Sequence, residues 1–202
     1  RNRRLTAHVL RRASGIVVRD EASRDLLIAI GVPSGLVQVT ADPVIRVKKA
    51  DTVLGLEILA REGCPRDPDK LTVGWAIKSR KASPAFLAEV ERCILWLREE
   101  YGADAVLIPF FQSEDIGVCE QAASELDGQA GCLRQKYLSE EMLSIIGCMD
   151  VLVGVRLHSL IYAAVMGVPM LGISYDPKVD SFLSSIGQPT LCPVEEFTCE
   201  KF

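Results

Sequence analysis

Residues 151 to 174 read VLVGVRLHSLIYAAVMGVPMLGIS, apolar almost throughout, yet Arg156 and His158 stand two positions apart near the middle. The apolar run from Val151 to Tyr175 is long enough to cross a bilayer. That reading fails, because an arginine near the centre of a lipid-facing helix costs roughly 3 kcal/mol on insertion scales and the MGVPMLG stretch would break the helix. Three short elements fit better. Val151–Val155 is a strand of the kind buried on both faces of a parallel sheet. Leu160, Ala163 and Ala164 then recur at helical spacing, with Gly167 as the C-terminal stop and Pro169 just beyond. Met170–Ser174 is a second buried strand. Arg156 and His158 therefore fall at the turn between a strand end and a helix start.

The same alternation extends outward in both directions. Residues 1–13 are helical in pattern, and Gly15–Val18 is a short strand. Asp20 or Ser23 can cap a helix carrying Leu26, Leu27 and Ile30, ended by Gly31 and Pro33. Leu36–Val39 is another strand. The stretch 49–70 is more charged and holds CPRDPDK, so it reads as a linker region. Leu71–Ile77 is a strand, followed by a helix with Leu87, Val90, Ile94 and Leu97 on one face, then the strand Ala105–Pro109. Ser113 is the expected cap of the next helix, with Glu114 and Asp115 favourably placed in its first turn and Ile116, Cys119, Ala123 and Leu126 inward. Ser139 starts a further helix, with Met142, Leu143 and Ile146 inward. Asp176 caps the last, with Pro177 at its first position and Val179, Phe182, Leu183 and Ile186 toward the core.

Strands alternating with helices predict an α/β fold with a doubly wound, mainly parallel, Rossmann-like sheet. Ligands of such sheets bind beyond the carboxyl ends of the strands. That rule gathers Lys78 and Ser79, Phe110, Arg156 to Ser159 and Tyr175 to Lys178 onto one rim, which explains the polar interruption of the opening stretch. The chemistry of the rim suits an anion. A helix starting near Leu157 offers unpaired N–H groups and the positive end of its dipole. Arg156 adds a planar fork and Lys178 a point charge, and His158 is the side chain whose ordinary pKa suits proton transfer near neutrality.

Plainer readings stand beside these. Asp176 and Pro177 are structural under any function, and Asp42 in ADP is a turn residue. A lone histidine in apolar surroundings reads as a core residue; beside Arg156 at a strand end, His158 reads as functional. Lys178 reads equally as a solvated lysine, and Arg19 with Asp20 equally as a strand-end arginine and a cap.

Composition bounds the function. A chain of 202 residues with 49% hydrophobic residues can bury a sizeable core, and a net charge of −4 lacks the basic balance of a nucleic-acid binder. Seven cysteines form no CxxC pair, and with two histidines the usual zinc spacings are missing, so free buried thiols in a reducing compartment are expected and no metal or cofactor is. The start, RNRRLTAHVLRR, lacks the apolar core of a signal peptide and opens on Arg1, which reads as a piece of a longer protein.

VVRDEAS followed by LLIAIGV and VTADPV, then PFFQSEDI, then GVRLHSLIYAAVMGVPMLGISYDPKVDSFLSSIG, resembles the polysaccharide pyruvyl transferase family, in particular its CsaB branch. The similarity follows the family's order over nearly the whole chain. It implies a two-domain GT-B-like fold, with residues 1–48 as the remnant of the N-terminal α/β domain and 71–202 as a truncated C-terminal Rossmann-like domain. Part of the remnant's core is then expected to be exposed. The implied reaction moves a pyruvyl group from phosphoenolpyruvate onto two hydroxyls of a sugar, releasing phosphate. For the CsaB branch the acceptor is an N-acetylmannosamine residue of a lipid-linked cell-wall polysaccharide precursor used for S-layer anchoring. By the resemblance, Arg156, the Leu157 backbone N–H and Arg19 match donor-binding positions and His158 matches the catalytic histidine; Lys178 is added to the donor-binding set for its charge on the rim. Lys78 departs from the family's usual arginine, with Arg80 as the nearest substitute. A cytoplasmic enzyme associated peripherally with the inner face of the membrane is expected, and a fragment with no turnover of its own. Two other classes stay open: a GT-B glycosyltransferase or sugar-nucleotide epimerase, and a noncatalytic saccharide-binding module.

Overall fold

Capping residues set several of the helix starts in the computed structural model, which describes residues 2–64 and 66–202. Arg1 of the expected first helix and Pro65 of the CPRDPDK turn lie outside the described residues. The chain divides into two compact units, one up to Arg46 and one from Val47 on.

In the first unit, α1 (Asn2–Leu10) leads to β1 (Ile16–Val18), α2 (Glu21–Ala29) and β2 (Val37–Val39). The strands pair in parallel, Ile16 opposite Val37. Asp20 is the cap of α2, its carboxylate accepting from Ser23 N at 2.7 Å. Leu5, Val9, Val17 and Leu26 are each more than half exposed.

The second unit opens with α3 (Thr52–Arg61), followed by β3 (Thr72–Ala76), α4 (Pro84–Tyr101), β4 (Asp104–Leu107), α5 (Gln112–Glu125), β5 (Ala130–Cys132), α6 (Ser139–Gly147), β6 (Val151–Gly154), α7 (Leu157–Met166), β7 (Met170–Ser174), α8 (Pro177–Ser185) and β8 (Thr190–Pro193). Its six strands are all parallel, in the order β5-β4-β3-β6-β7-β8. The chain walks outward from β3 to β5, returns to β6 beside β3, and walks outward the other way. That reversal puts a topological switch point between β3 and β6, where doubly wound sheets open a crevice at the strands' carboxyl ends.

Alternation along the strands divides the side chains between two buried faces. Val73, Trp75 and Ile77, Ala105 and Leu107, Val153 and Val155, and Ile173 pack with α4, α5 and the C-terminal tail, including Val194 and Phe197. On the other face small residues admit the helices: a β-carbon at Gly154 would stand 2.7 Å from Leu160 and 2.8 Å from the Ser159 hydroxyl of α7, and one at Gly172 would run into Leu183 of α8. The tail folds back over the first face, stacking Phe202 on Trp75 at 5.6 Å between ring centroids.

Three expectations change here. The 49–70 region carries α3, which is part of the second unit: Asp51 caps it through Val53 N at 2.9 Å, Ile58 and Leu59 are fully buried, and Gly55 N donates to the buried Ser144 hydroxyl of α6 at 2.6 Å. Its charged flanks hid an apolar stripe, and Gly55 lets the two helices touch, since a β-carbon there would collide with the Ser144 carbonyl. Ser113 caps nothing; α5 begins after Phe111 without a side-chain cap, because Asp115 takes the Phe111 N–H instead. Ile186, at the C-terminal end of α8, is 37% exposed and does not join the core. β5 and β8, the two edge strands, carry little apolar signature and escape a reading by pattern.

Candidate functional site

The residues that follow β3, β4, β6 and β7 meet at one rim, and a buried carboxylate ties three of those segments together. Asp115, in the first turn of α5, has no solvent exposure. Its Oδ1 accepts from Ser79 N after β3 at 3.1 Å and its Oδ2 accepts from Phe111 N after β4 at 3.0 Å. Arg156, after β6, completes the set as a bidentate donor, Nε to Oδ2 at 2.9 Å and Nη2 to Oδ1 at 2.6 Å. Nη2 also reaches Glu114 Oε2 at 2.9 Å, and the guanidinium lies 5.6 Å from the centre of the Phe111 ring. A buried charge is tolerated only when paired and hydrogen-bonded, and here each partner supplies what the other needs. Burial alone would lower the Arg156 pKa; hydrogen bonds to Asp115 and Glu114 outweigh it and raise it. The same contact holds the Glu114 carboxyl below its usual range.

The fork that the sequence offered to a ligand is thus engaged by Asp115, with Nη1 as the nitrogen outside that pair. Arg156 is also the extended residue that opens α7, with φ −82° and ψ 123° and no side-chain cap on the helix. Ser159 turns its hydroxyl back to the Arg156 carbonyl at 2.6 Å, and no side chain caps the first turn of α7. Leu157 is buried; His158 is exposed, which removes the reading of it as a core residue.

The next turn along the sheet carries the other cations. Tyr175, at the end of β7, has Lys78 Nζ 3.8 Å from its ring centre, Lys178 Nζ at 5.5 Å and Lys81 Nζ at 5.9 Å. Burial pushes the Tyr175 phenol up, but hydrogen bonds and charge from Lys78 and Lys178 outweigh that and leave it below its ordinary value. Lys178 also lies 3.7 Å from Asp176, and Lys81 3.9 Å from Glu195. Arg80, 79% exposed along its side chain, is 4.0 Å from Glu114.

Arg156, Leu157, His158 and Lys178 therefore share one end of the second unit's sheet. Arg19 belongs to the first unit, where it ends β1 and pairs with Asp42 at 3.1 Å and Asp20 at 3.8 Å. Sequence reasoning missed Asp115 as a hub, treating it as a first-turn charge; its signal was an acidic pair opening a helix just after a strand. Two hollows, of about 430 Å³ beside Glu62 and Tyr137 and about 370 Å³ around the starts of β3 and β4, lie away from this rim. No metal-binding cluster of His, Cys, Asp or Glu is present among the described residues.

The chain is similar in fold to several solved structures. The UDP-GlcNAc 2-epimerase of Neisseria meningitidis, bound to UDP-GlcNAc, is 16% identical with a TM-score of 0.64 over 99% of this chain and 53% of its own. That of Methanocaldococcus jannaschii is 12% identical with a TM-score of 0.61 over 98% and 54%. Anabaena Alr3699/HepE, in complex with UDP and glucose, is 15% identical with a TM-score of 0.55 over 85% and 48%. The chain thus spans about half the length of these structures, and the likeness is one of fold, GT-B-like. No curated protein sequence matches it. The family model for polysaccharide pyruvyl transferase matches residues 1–177, a span that includes the Asp115 hub and the uncapped Arg156–His158 turn, and the chain accordingly belongs to the polysaccharide pyruvyl transferase family.

Proposed function

We propose that this chain is part of an enzyme that transfers the pyruvyl group of phosphoenolpyruvate to a sugar of a cell-wall polysaccharide precursor, forming a cyclic ketal. The observation that carries the reading is the α7 start without a side-chain cap, where Arg156, the Leu157 backbone and an exposed histidine share one turn. Phosphoenolpyruvate carries a carboxylate and a phosphate, and such a helix start with an adjacent guanidinium and ammonium is matched to anions of that kind. In this assignment Arg156 Nη1 and the Leu157 N–H hold one anionic group, Lys178 neutralises the other, and His158 protonates the enol carbon as general acid. Donor activation falls to these side chains.

The acceptor of this proposal is the CsaB-type one, an N-acetylmannosamine residue on a lipid-linked precursor that serves S-layer anchoring, modified at the cytoplasmic face of the membrane. None of the described helices is long and apolar enough to cross a membrane, and contact with the lipid is assigned to the acceptor. Mass spectrometry of a synthetic acceptor incubated with the full-length protein and phosphoenolpyruvate tests the reading directly. A mass gain equal to one pyruvyl ketal, with phosphate released, supports it. Competition by a UDP-sugar and not by phosphoenolpyruvate would replace it with sugar-nucleotide chemistry, and binding without phosphate release with a saccharide-binding module.

Arg156 gives a sharper test. Arg156→Lys keeps the charge but loses Nη1, the nitrogen assigned to the donor, along with the bidentate hold on Asp115, so donor kcat/KM of the full-length enzyme should fall by about 10-fold or more, mainly through donor affinity. Unchanged donor kinetics in a folded variant would assign Arg156 to the Asp115 strut alone.

A further inference from the structure

Joining a sugar hydroxyl to an enol phosphate needs two proton movements, and in this reading His158 supplies one. Something must also take the hydroxyl's proton as the carbon–oxygen bond forms. The sheet places a candidate one strand away: β7 pairs with β6, Gly154 opposite Gly172, so the residues just past each strand share the rim. Tyr175 stands there, half-buried, with its hydroxyl among cations from two directions. Lys78 comes from the end of β3 and Lys178 from the first turn of α8. Lys78 forms no ion pair among the described residues, and its ammonium lies closest of all to the ring. Two of the three ammonium groups have carboxylates of their own, Asp176 on Lys178 and Glu195 on Lys81, and Lys78 also acts on the charge of Glu114. Lys78 and Lys178, through hydrogen bonds and charge, favour the ionised form of the Tyr175 hydroxyl.

Resting on the pyruvyl-transfer reading, we propose that Tyr175, held by Lys78 and Lys178, is the base that accepts the proton of the acceptor sugar's hydroxyl. The first hydroxyl gives its proton to the Tyr175 phenolate while its oxygen bonds to C2 of phosphoenolpyruvate. The C2–C3 π pair takes a proton from the His158 imidazolium, making the methyl group. The second hydroxyl then bonds to C2 as the C2–O bond to phosphate breaks. Its proton returns to His158, and the departing phosphate leaves with the proton held by Tyr175. One hydroxyl proton thus ends on phosphate, the other restores the imidazolium, and both groups finish as they began. The phenol's titration, lowered by the two lysines and raised by burial, is consistent with this role.

The test uses the full-length enzyme. Tyr175→Phe should lose on the order of 10²-fold in kcat, the usual scale for one proton-transfer group, with donor affinity little changed. Lys78→Met retains the phenol and should move the phenol's limb of the kcat–pH profile to higher pH, a shift that a merely packed tyrosine would not produce. Ultraviolet titration provides an activity-free readout: wild type should show a phenol ionising below the ordinary tyrosine range, absent from Tyr175→Phe and moved upward in Lys78→Met. Normal kcat in Tyr175→Phe, or an unmoved profile and titration in Lys78→Met, overturns the proposal alone. If wild type forms no ketal from phosphoenolpyruvate, the transfer reading falls and takes this proposal with it.

Discussion

Two neighbouring strand-to-helix turns at the same end of one sheet are built in opposite ways. The β7–α8 turn satisfies itself. Asp176, at φ −158°, caps α8 through Lys178 N at 3.1 Å, and Pro177 fills the first position, where no N–H is needed. One turn later Asp180 accepts from the Ser174 hydroxyl at 2.6 Å and the Thr190 hydroxyl at 2.8 Å, fastening α8 to both of its strands. The β6–α7 turn has none of this. Its N-cap residue is an arginine, its first turn holds no acidic residue, and its anchor is a carboxylate 41 residues away in sequence. A helix start that closes on local residues is architecture; one without a side-chain cap, whose flanking arginine is fixed from a distance, is where the proposed donor site falls.

The largest effect that can break this contrast is at Asp115. Asp115→Ala would leave Arg156 with only Glu114 and strip an acceptor from Ser79 N and Phe111 N. Removing one partner of a buried pair costs about 3 to 5 kcal/mol, and with Arg156 still 15% exposed the expected loss is near the lower end. Denaturant unfolding of the chain measures it. A loss under about 1 kcal/mol, in the range of surface pairs, would show that the hub does not hold the rim together.

Next in size is His158, on the uncapped turn. His158→Gln keeps the size and some hydrogen bonding but cannot deliver a proton at the same pH, so kcat should fall on the order of 10²-fold. Donor affinity should change less than in Arg156→Lys, and the limb of the kcat–pH profile that belongs to the imidazole should disappear. A variant that keeps that limb and near-normal kcat, but melts earlier, would move His158 to the architectural side of the comparison.

What could be read from the sequence follows the range of the interaction responsible. β3, β4, β6 and β7 are apolar runs buried on both faces, and each was placed within two residues of its observed limits. The α8 turn was legible in full because Asp176 and Pro177 act on their own neighbours. So was the position of Arg156 and His158, since the strand–helix alternation alone puts them at the rim. The partner of Arg156 was not: nothing local to Asp115 reports that Ser79, Phe111 and Arg156 will converge on it. α3 escaped for a related reason, its helical identity being settled by contact with α6 through Gly55 and Ser144. The short edge strands, Ala130–Cys132 with its glycine and Thr190–Pro193 with its proline, owe their state to neighbours already in the sheet.

The smallest effect sharpens the contrast from the closed side. Asp176→Ala removes the α8 cap and should cost about 1 kcal/mol, the usual value for an N-cap. Asp176→Asn can still accept from Lys178 N, so it should recover most of that loss while removing the carboxylate 3.7 Å from Lys178 Nζ. The two substitutions therefore separate the cap from the charge. If Asp176 is architectural, stability should follow the cap, low in Ala and near wild type in Asn, and donor affinity in the full-length enzyme should change little in either. Freed from its carboxylate, Lys178 could bind a donor anion slightly more tightly in Asn, and that small gain would identify Lys178 as a donor contact. A loss of donor affinity in Asn, with stability intact, would mean that Asp176 itself faces the substrate, and the two turns would then differ less than their caps suggest.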